Sequence, residues 1–271
     1  MLDIFKTIFI TSLVFIPMEF IFPRIRGKKI LRKDWIRDVL YAFIAGSITL
    51  FGITIIILAG HIAIEPFLSE GFKTAIASQP VWLQIVEIII IADLFYYWIH
   101  RMFHENPYLW KIHAIHHSIE EMDWLAAHRV HPIDQILTRG GSLIIPFTFG
   151  FSAAPLSIFF LIIGWLSYLK HSNVKIHFGP LKWLIVSPTF HHWHHANEEH
   201  AFDKNYADLL PILDILFKTA VIKEDNGPEK YGTDTVLPET FLGQLILPLK
   251  LLFNRSKTIK PKSIADIPGE H

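Results

Sequence analysis

Long apolar runs alternate with short polar segments along most of the chain. The four longest runs are at residues 4–22, 39–64, 81–103 and 142–169. Each is long enough to cross a bilayer as a helix, because about 20 apolar residues at about 1.5 Å per residue span the hydrocarbon core. This pattern predicts an all-α integral membrane protein with about four to five membrane-inserted helices.

The last of these runs contains residues that break helices. Pro146, Gly150 and Pro155 lie in its first half, where they would interrupt a continuous helix. The run and the residues before it are therefore predicted to form a hairpin of two helices, at residues 134–149 and 154–170. Both ends of this hairpin are expected on the same side of the membrane.

Basic residues directly follow the first apolar run. Residues 24–33 hold six lysines and arginines, so the positive-inside rule places this short loop in the cytoplasm. A cleaved signal peptide is the rival interpretation of residues 4–22, but most basic residues follow the run rather than precede it. With this orientation the third run leads inward and ends at the cytoplasmic face.

The remaining residues are predicted to complete a single membrane domain. Residues 1–170 supply the membrane helices, and residues 171–240 form a polar cytoplasmic cap of helices. Residues 241–253 are apolar but too short to span, so an interfacial helix is predicted there. Residues 254–271 are predicted to be a flexible tail.

Composition excludes several kinds of function. The formal net charge is zero and no nucleic-acid-binding motif is present, so no nucleic-acid partner is expected. The chain has no cysteine, which excludes an iron–sulfur or thiolate-held metal centre in this chain. Any redox chemistry must therefore take its electrons from another protein.

Histidine is concentrated in one part of the chain. Of 16 histidines, only His61 and His271 lie outside residues 100–200. Three groups have the i, i+3 or i+4 spacing that places side chains on one face of a helix. Their eight imidazoles are too many for one tetrahedral zinc ion and are enough for two metal ions. The groups consist of His100 and His104, of His113, His116 and His117, and of His191, His194 and His195.

A carboxylate in the third apolar run lies near the first group. Asp93 comes seven residues, about two helical turns, before His100, and Tyr97 lies between them. A buried carboxylate in a membrane helix is costly and usually functional. Asp93 is therefore predicted to accept a proton from a metal-bound imidazole, with Tyr97 as a second supporting residue. A contact between helices is the alternative role.

The histidine groups and the residues around them resemble the sterol desaturase/fatty acid hydroxylase superfamily of membrane di-iron oxygenases. The resemblance rests on DLFYYWIHRMFH, HAIHH and HHWHH, and it extends over about residues 81–220. Two patterns typical of the family differ here, since NYA and LDILFKT occur in their place. The similarity to bacterial members implies a protein of the bacterial inner membrane.

This resemblance implies an oxygen-dependent enzyme with two iron ions held by the eight grouped histidines. It makes His171 the best candidate for a further ligand, followed by His131 and His177. It also implies O₂ as co-substrate and an external electron donor, which is a reductase with cytochrome b5 or ferredoxin. The expected reaction is hydroxylation or desaturation of a C–H bond of a lipid from the bilayer, with no catalytic residue beyond the metal centre.

Other functions are compatible with the same histidines. Oxidation of ether lipids such as alkylglycerols and hydroxylation of carotenoids use the same chemistry within this superfamily. A non-catalytic membrane protein that binds or transports metal ions is an alternative of another class. A membrane zinc hydrolase is disfavoured, because His104-Glu105 does not continue as the HExxH motif.

Overall fold

The computed structural model describes residues 2–223 and 227–253, and these residues fold into helices joined by short loops. Two isolated bridges, Pro23 with Val174 and Ala196 with Tyr231, are the β-type pairings in this part of the chain. The predicted all-α architecture is therefore confirmed. The predicted tail at residues 254–271 lies outside the described residues.

Within the described residues, four helices are long and apolar enough to cross a membrane. They cover Ile4–Ile21, Trp35–Phe67, Val81–Glu105 and Ala153–His171. The first lies in α1 (Leu2–Ile21). The second joins α2 (Trp35–Leu40), a π-helical turn (Tyr41–Ala45), α3 (Gly46–Ile64) and a 3₁₀ turn (Glu65–Phe67). After the short helix α4 (Glu70–Ala77) comes the third span, α5 (Val81–Glu105). The chain is a multi-pass membrane protein.

The broken apolar run forms a helical hairpin. Its first arm joins α7 (Pro132–Gln135), a π-helical turn (Ile136–Gly140) and α8 (Gly141–Thr148), and its second arm is α9 (Ala153–His171). Gly150 has a φ of +92° in the turn, and a Cβ there would lie 2.8 Å from the Lys73 carbonyl oxygen. Glycine is required because both the backbone angle and the close approach exclude a side chain.

Both arms pack on the other membrane helices. The arm of α8 contacts α3 and α5, and α9 contacts α5. A Cβ at Gly52 or Gly60 would lie 2.2 or 2.5 Å from the side chain of Ile136 or Ile144, so glycines let α3 approach the hairpin closely.

Short helices on one side of the membrane helices complete the fold. They are α6 (Pro107–His117), α10 (Pro188–His194) and α11 (Ile212–Leu216), together with 3₁₀ turns at Trp124–His128, Gly179–Trp183 and Glu199–Ala201. The apolar segment predicted as one interfacial helix consists of α12 (Phe241–Leu245) and α13 (Leu247–Phe253). The Tyr41 hydroxyl and the Gln244 side-chain oxygen lie 2.9 Å apart and connect this segment to the second span.

Part of the basic loop is buried rather than solvated. Arg32 is 4% exposed and bonds Asp123 over 2.7 Å, and it also pairs with Asp38. Asp38 in turn pairs with Arg129. This network joins the start of the second span to the loop that follows α6, because each buried charge needs an opposite partner.

Candidate metal centre

Four helix ends carry the histidines to one place. His100 and His104 lie in the last turns of α5, and His171 is the last residue of α9. Between α5 and α6 the chain turns at Asn106, whose side-chain oxygen accepts from the backbone N–H groups of Tyr108 and Leu109. This N-cap and Pro107 start α6 in a new direction, so that its histidine face meets that of α5.

Eight of the histidines form two groups of four. Within each group, one ring nitrogen from each residue lies within 4.8 Å of the others, and all eight side chains are buried. Group 1 consists of His100, His104, His113 and His194, and group 2 of His116, His171, His191 and His195. Each group therefore has the composition of a four-imidazole metal site.

His117 lies where the two groups meet. Its Nε2 is 3.2 Å from Nε2 of both His113 and His194 in group 1. Its ring also stacks on the ring of His195 in group 2, at 4.6 Å between centroids. The structure thus brings together all eight histidines of the three predicted groups and also His171.

Backbone carbonyls fix the protonation of four of these rings. Because a carbonyl oxygen only accepts, each Nδ1 must carry the hydrogen and each Nε2 must present a lone pair. The distances are 2.7 Å from His100 to Tyr206, 3.0 Å from His116 to Arg129, 2.7 Å from His171 to Ser167 and 2.8 Å from His194 to Lys204.

A carboxylate fixes the hydrogen of His113 on Nδ1 in the same way. Its Nδ1 lies 2.6 Å from Oδ2 of Asp134, in the first turn of the hairpin. Thr138 donates its hydroxyl to the Asp134 backbone carbonyl over 2.8 Å, one turn further along. His113 and Asp134 lie 21 positions apart in the chain, so helical spacing does not predict this pair. Asp134 orients the imidazole and increases its basicity as a ligand.

The Nε2 lone pairs point at one another. His100 and His113 approach to 3.0 Å between Nε2 atoms, and His116 and His171 to 3.3 Å. Two lone pairs at such distances repel unless a cation lies among them. Nε2 of His104 and Nδ1 of His195 are buried and have no hydrogen-bond partner among the described residues. The nitrogen set therefore fits metal ions.

Protonation of the imidazoles does not relieve the repulsion between their lone pairs at neutral pH. Burial lowers the pKa of His194 to about 3. Burial, followed by neighbouring imidazoles, also lowers the pKa of His116, His117, His191 and His195 well below the usual value. These rings are neutral at pH 7, the state in which imidazole binds a metal.

Asp93 has a different partner from the one predicted. Its carboxylate accepts from the backbone N–H groups of Asp208, Leu209 and Leu210, at 2.8, 3.1 and 2.6 Å. The expected imidazole bond is replaced because this non-helical cap segment packs against the middle of α5 and its N–H groups need acceptors. Tyr97 likewise contacts the cap, with its hydroxyl 2.9 Å from that of Thr219.

Asp93 still supports the site through the cap. The segment that it holds begins just after Tyr206, whose carbonyl accepts from His100. Asp214 holds the same segment from the other side, accepting from the N–H groups of Tyr206 and Ala207 over 2.8 Å each. The two carboxylates thus fix the position of the Tyr206 carbonyl.

A further buried acid connects this segment to the hairpin. Asp208 bonds Arg139 over 2.9 Å and also pairs with Lys170, the residue before His171. Burial alone would raise the pKa of Asp208, but Arg139 and Lys170 together hold it below its usual range. Asp208 therefore remains charged and joins both arms of the hairpin to the cap.

Two histidines named as further ligand candidates lie outside both groups. His131 caps α7 by accepting from the Ile133 N–H over 3.1 Å, and its Nε2 donates to the Leu245 carbonyl over 3.0 Å. With both nitrogens engaged, His131 holds α7 and α12 in place instead of facing the groups. His177 lines a surface crevice with Lys182 and Lys223.

Two aromatic residues that the sequence did not single out enclose group 1. The ring centroid of Trp110 lies 5.2 Å from that of His104 and 5.3 Å from that of His117, and its Nε1 donates to Thr235 over 3.0 Å. Tyr206 lies 5.0 Å from His104. Their positions depend on tertiary packing, so helical spacing could not reveal them.

An all-helical membrane protein with two adjoining groups of buried histidines is a candidate metalloenzyme. The chain belongs to the fatty acid hydroxylase family: the Fatty acid hydroxylase profile matches residues 85–219, which include all nine of these histidines. No solved structure matches the chain.

Curated relatives match between about half and two thirds of the chain. Ornithine lipid hydroxylase OlsE of Rhizobium tropici is 32% identical over 176 residues, 62% of this chain and 51% of the relative. Human alkylglycerol monooxygenase is 30% identical over 150 residues, 52% and 31% of the two chains. A putative methylsterol monooxygenase of Dictyostelium discoideum is 30% identical over 146 residues, 51% of each. The chain spans about half the length of these relatives or less.

Proposed function

We propose that this protein is an O₂-dependent di-iron oxidoreductase that hydroxylates or desaturates a C–H bond of a membrane lipid. The observation that carries the proposal is the convergence of buried imidazole lone pairs in two adjoining groups. Imidazole suits iron, zinc and copper, so the ligand type does not choose the metal. Membership of the fatty acid hydroxylase family supports iron.

The nine histidines would hold the metal ions, with the Nε2 atom of His117 beside group 1. A bound di-iron centre supplies the activation of O₂ that an unactivated C–H bond requires. The chain's own residues orient the imidazoles through Asp134 and the backbone carbonyls, and they keep the rings neutral by burial. Trp110 and Tyr206 pack against His104 and exclude water from group 1.

The location of the site supports a lipid substrate. Two of its histidines lie in the last turns of α5 and a third ends α9, both of which are candidate membrane spans. The relatives that match are named as a hydroxylase of ornithine lipid and as monooxygenases of alkylglycerol and methylsterol. A lipid that enters from the bilayer would reach the histidines without crossing water.

Electrons would come from a separate protein. The sequence has no cysteine that could hold an iron–sulfur cluster. A reductase with cytochrome b5 or a ferredoxin is the class of donor that fits. The positive-inside rule places the histidines on the cytoplasmic side, where such donors are found.

Reconstitution tests the proposal. The iron-loaded protein in lipid nanodiscs is supplied with O₂ and a chemical reductant, and lipid products are identified by mass spectrometry. We expect a product with one added oxygen atom or one new double bond, lost in His116→Ala and retained in the matched variant His177→Ala. A protein that binds no iron, or full activity in His116→Ala, would overturn the proposal.

An ether lipid is a second candidate substrate, favoured by the alkylglycerol monooxygenase relatives from several animals. Hydroxylation of the carbon next to an ether oxygen gives an unstable product that releases an aldehyde. The same nanodisc assay with an alkylglycerol distinguishes this reaction, because the aldehyde appears only if the ether carbon is oxidised. A metal transporter would instead move iron across sealed vesicles without changing any lipid.

A further inference from the structure

An exposed apolar surface of the cap lies beside the lipid-facing side of α5. We call it the cap rim, and it is formed by the 3₁₀ turn at Gly179–Trp183, the residues that follow it, and α11. Between 39% and 65% of each of its side chains is exposed. The cap rim consists of Leu181, Trp183, Leu184, Ile185, Ile212 and Leu216.

The two parts of the cap rim form one surface. The Val186 N–H donates to the Leu209 carbonyl over 2.8 Å, which connects the segment after the 3₁₀ turn to the segment before α11. On α11, Leu213 and Asp214 face inward while Ile212 and Leu216 face outward. A continuous exposed apolar surface of this kind marks an interaction site.

Contacts with α5 show how deep this surface lies. Trp82 is exposed at the start of α5 and Trp98 about two turns before its end, and tryptophan typically marks the membrane–water boundaries. Asp93 lies five residues from Trp98 towards the middle of the helix, a distance of about 8 Å. Because Asp93 bonds the N–H groups of residues 208–210, this cap segment lies below the level of Trp98.

The cap rim also adjoins the boundary itself. Phe217, which follows α11, packs on Trp98 with ring centroids 4.8 Å apart. The Arg101 guanidinium lies 5.5 Å from the centre of the Trp98 ring, as expected for a long basic side chain reaching the headgroups. The surface is thus continuous with the exposed apolar face of α5.

Charge favours a membrane as the partner. No aspartate or glutamate occurs from residue 135 to residue 197. Lys182 lies within the 3₁₀ turn of the cap rim, and Lys175 lies four residues before that turn. In residues 209–217 the one acid is Asp214, which is completely buried. Apolar side chains flanked by lysines suit a leaflet with anionic lipid headgroups.

From this placement we infer that the cap rim is inserted into the leaflet on the histidine side, so that the cap is partly embedded in the bilayer. The rim side chains contact acyl chains just below the headgroups, and the nearby lysines lie at the headgroup level. This inference concerns the surface of the cap and does not depend on the identity of the metal or on the reaction.

The absence of cysteine permits a direct test on the chain without prior removal of native thiols. Single cysteines at Leu184 and Leu216 are labelled with a nitroxide, and the protein is placed in nanodiscs of phosphatidylcholine and phosphatidylglycerol. Collision rates with O₂, which concentrates in lipid, and with a water-soluble nickel chelate are measured by electron paramagnetic resonance. Leu58 on α3 is the lipid reference, and Val236, which is 91% exposed in a polar loop, is the water reference.

We expect labels at Leu184 and Leu216 to resemble the label at Leu58, with nickel collision rates several-fold lower than at Val236. Nickel access equal to that at Val236 would overturn the inference. Protection from both reagents would also overturn it, because the rim would then be covered by protein. All four positions are exposed, so their substitution removes no core packing, and thermal unfolding of each labelled protein verifies the fold.

Discussion

The Nδ1 atom of His113 donates to Oδ2 of Asp134 over 2.6 Å and connects the second histidine helix to the first turn of the helical hairpin. Both ends of that hairpin therefore lie at the site, because His171 at its other end lies 3.3 Å from His116 between Nε2 atoms. The arrangement satisfies the requirement that the hairpin begin and end on one side of the membrane.

Replacing Asp134 should weaken metal binding at group 1. In Asp134→Asn the acceptor loses its negative charge, and the His113 imidazole becomes a poorer ligand. Removal of such a partner typically lowers metal affinity roughly 10–100-fold. Competition with a chelator measures the change. Glu105→Gln, at an exposed acid on the same side of the membrane, is the control and should bind iron normally.

Asp93 should matter for the cap rather than for the protonation of an imidazole. In Asp93→Ala three backbone N–H groups lose their acceptor, at a cost of about 1–3 kcal/mol for each buried donor left unpaired. Hydrogen exchange at residues 208–210 should accelerate, and the unfolding temperature should fall. The control is Glu87→Gln in the same helix. Unchanged exchange at residues 208–210 would show that these bonds do not hold the segment.

The two histidine groups should lose metal separately. His104→Ala removes one member of group 1, and His191→Ala removes one of group 2, so each is expected to lower the iron content by about one ion per chain. The double variant should retain almost none, whereas His177→Ala should bind as the unmodified protein does. Elemental analysis of the purified proteins gives the ratios. Loss of all iron from both single variants would instead indicate one inseparable site.

The stability of the metal-free protein should fall in mild acid. The pKa of His194 is lowered to about 3 in the folded state, against about 6.5 in an unfolded chain. Between these two pKa values the unfolded state therefore binds more protons than the folded state. The contribution of His194 to the stability of the folded protein is complete above about pH 6.5 and decreases as the pH falls below it. His116, His117, His191 and His195 act in the same direction.

Thermal unfolding of the metal-free protein in detergent checks this dependence. The unfolding temperature should be nearly constant from pH 8 to pH 7 and should decrease steadily from pH 6.5 to pH 5. A protein equally stable at pH 5 and pH 8 would contradict the burial of neutral imidazoles.

Helical spacing predicts eight of the nine histidines that come together, whereas His171 is expected only from the resemblance to the family. The separation of His113, His116 and His117 puts their side chains on one face in any α-helix, whatever surrounds it. The apolar runs likewise predicted the membrane spans, and Pro146 with Gly150 predicted the hairpin. These features follow from local geometry and from the thickness of a bilayer, both of which a sequence contains.

The partners of the rings could not be predicted in the same way. The backbone carbonyls of Tyr206 and Arg129 hold His100 and His116. Every residue type has a backbone carbonyl, so the sequence does not indicate which ones will contact the histidines. The sequence predicts an imidazole partner for Asp93 because Asp93 lies about two helical turns before His100 on the same helix. The cap segment supplies stronger partners, and only the tertiary fold brings that segment to the middle of α5.

Iron content combined with X-ray absorption at the iron edge tests the central claim most directly, namely that buried imidazoles hold two metal ions. The account predicts about two iron ions per chain with nearest neighbours that are mainly imidazole nitrogens, a signal that weakens in His116→Ala. A protein without iron, or iron surrounded mainly by carboxylate oxygens, would contradict it.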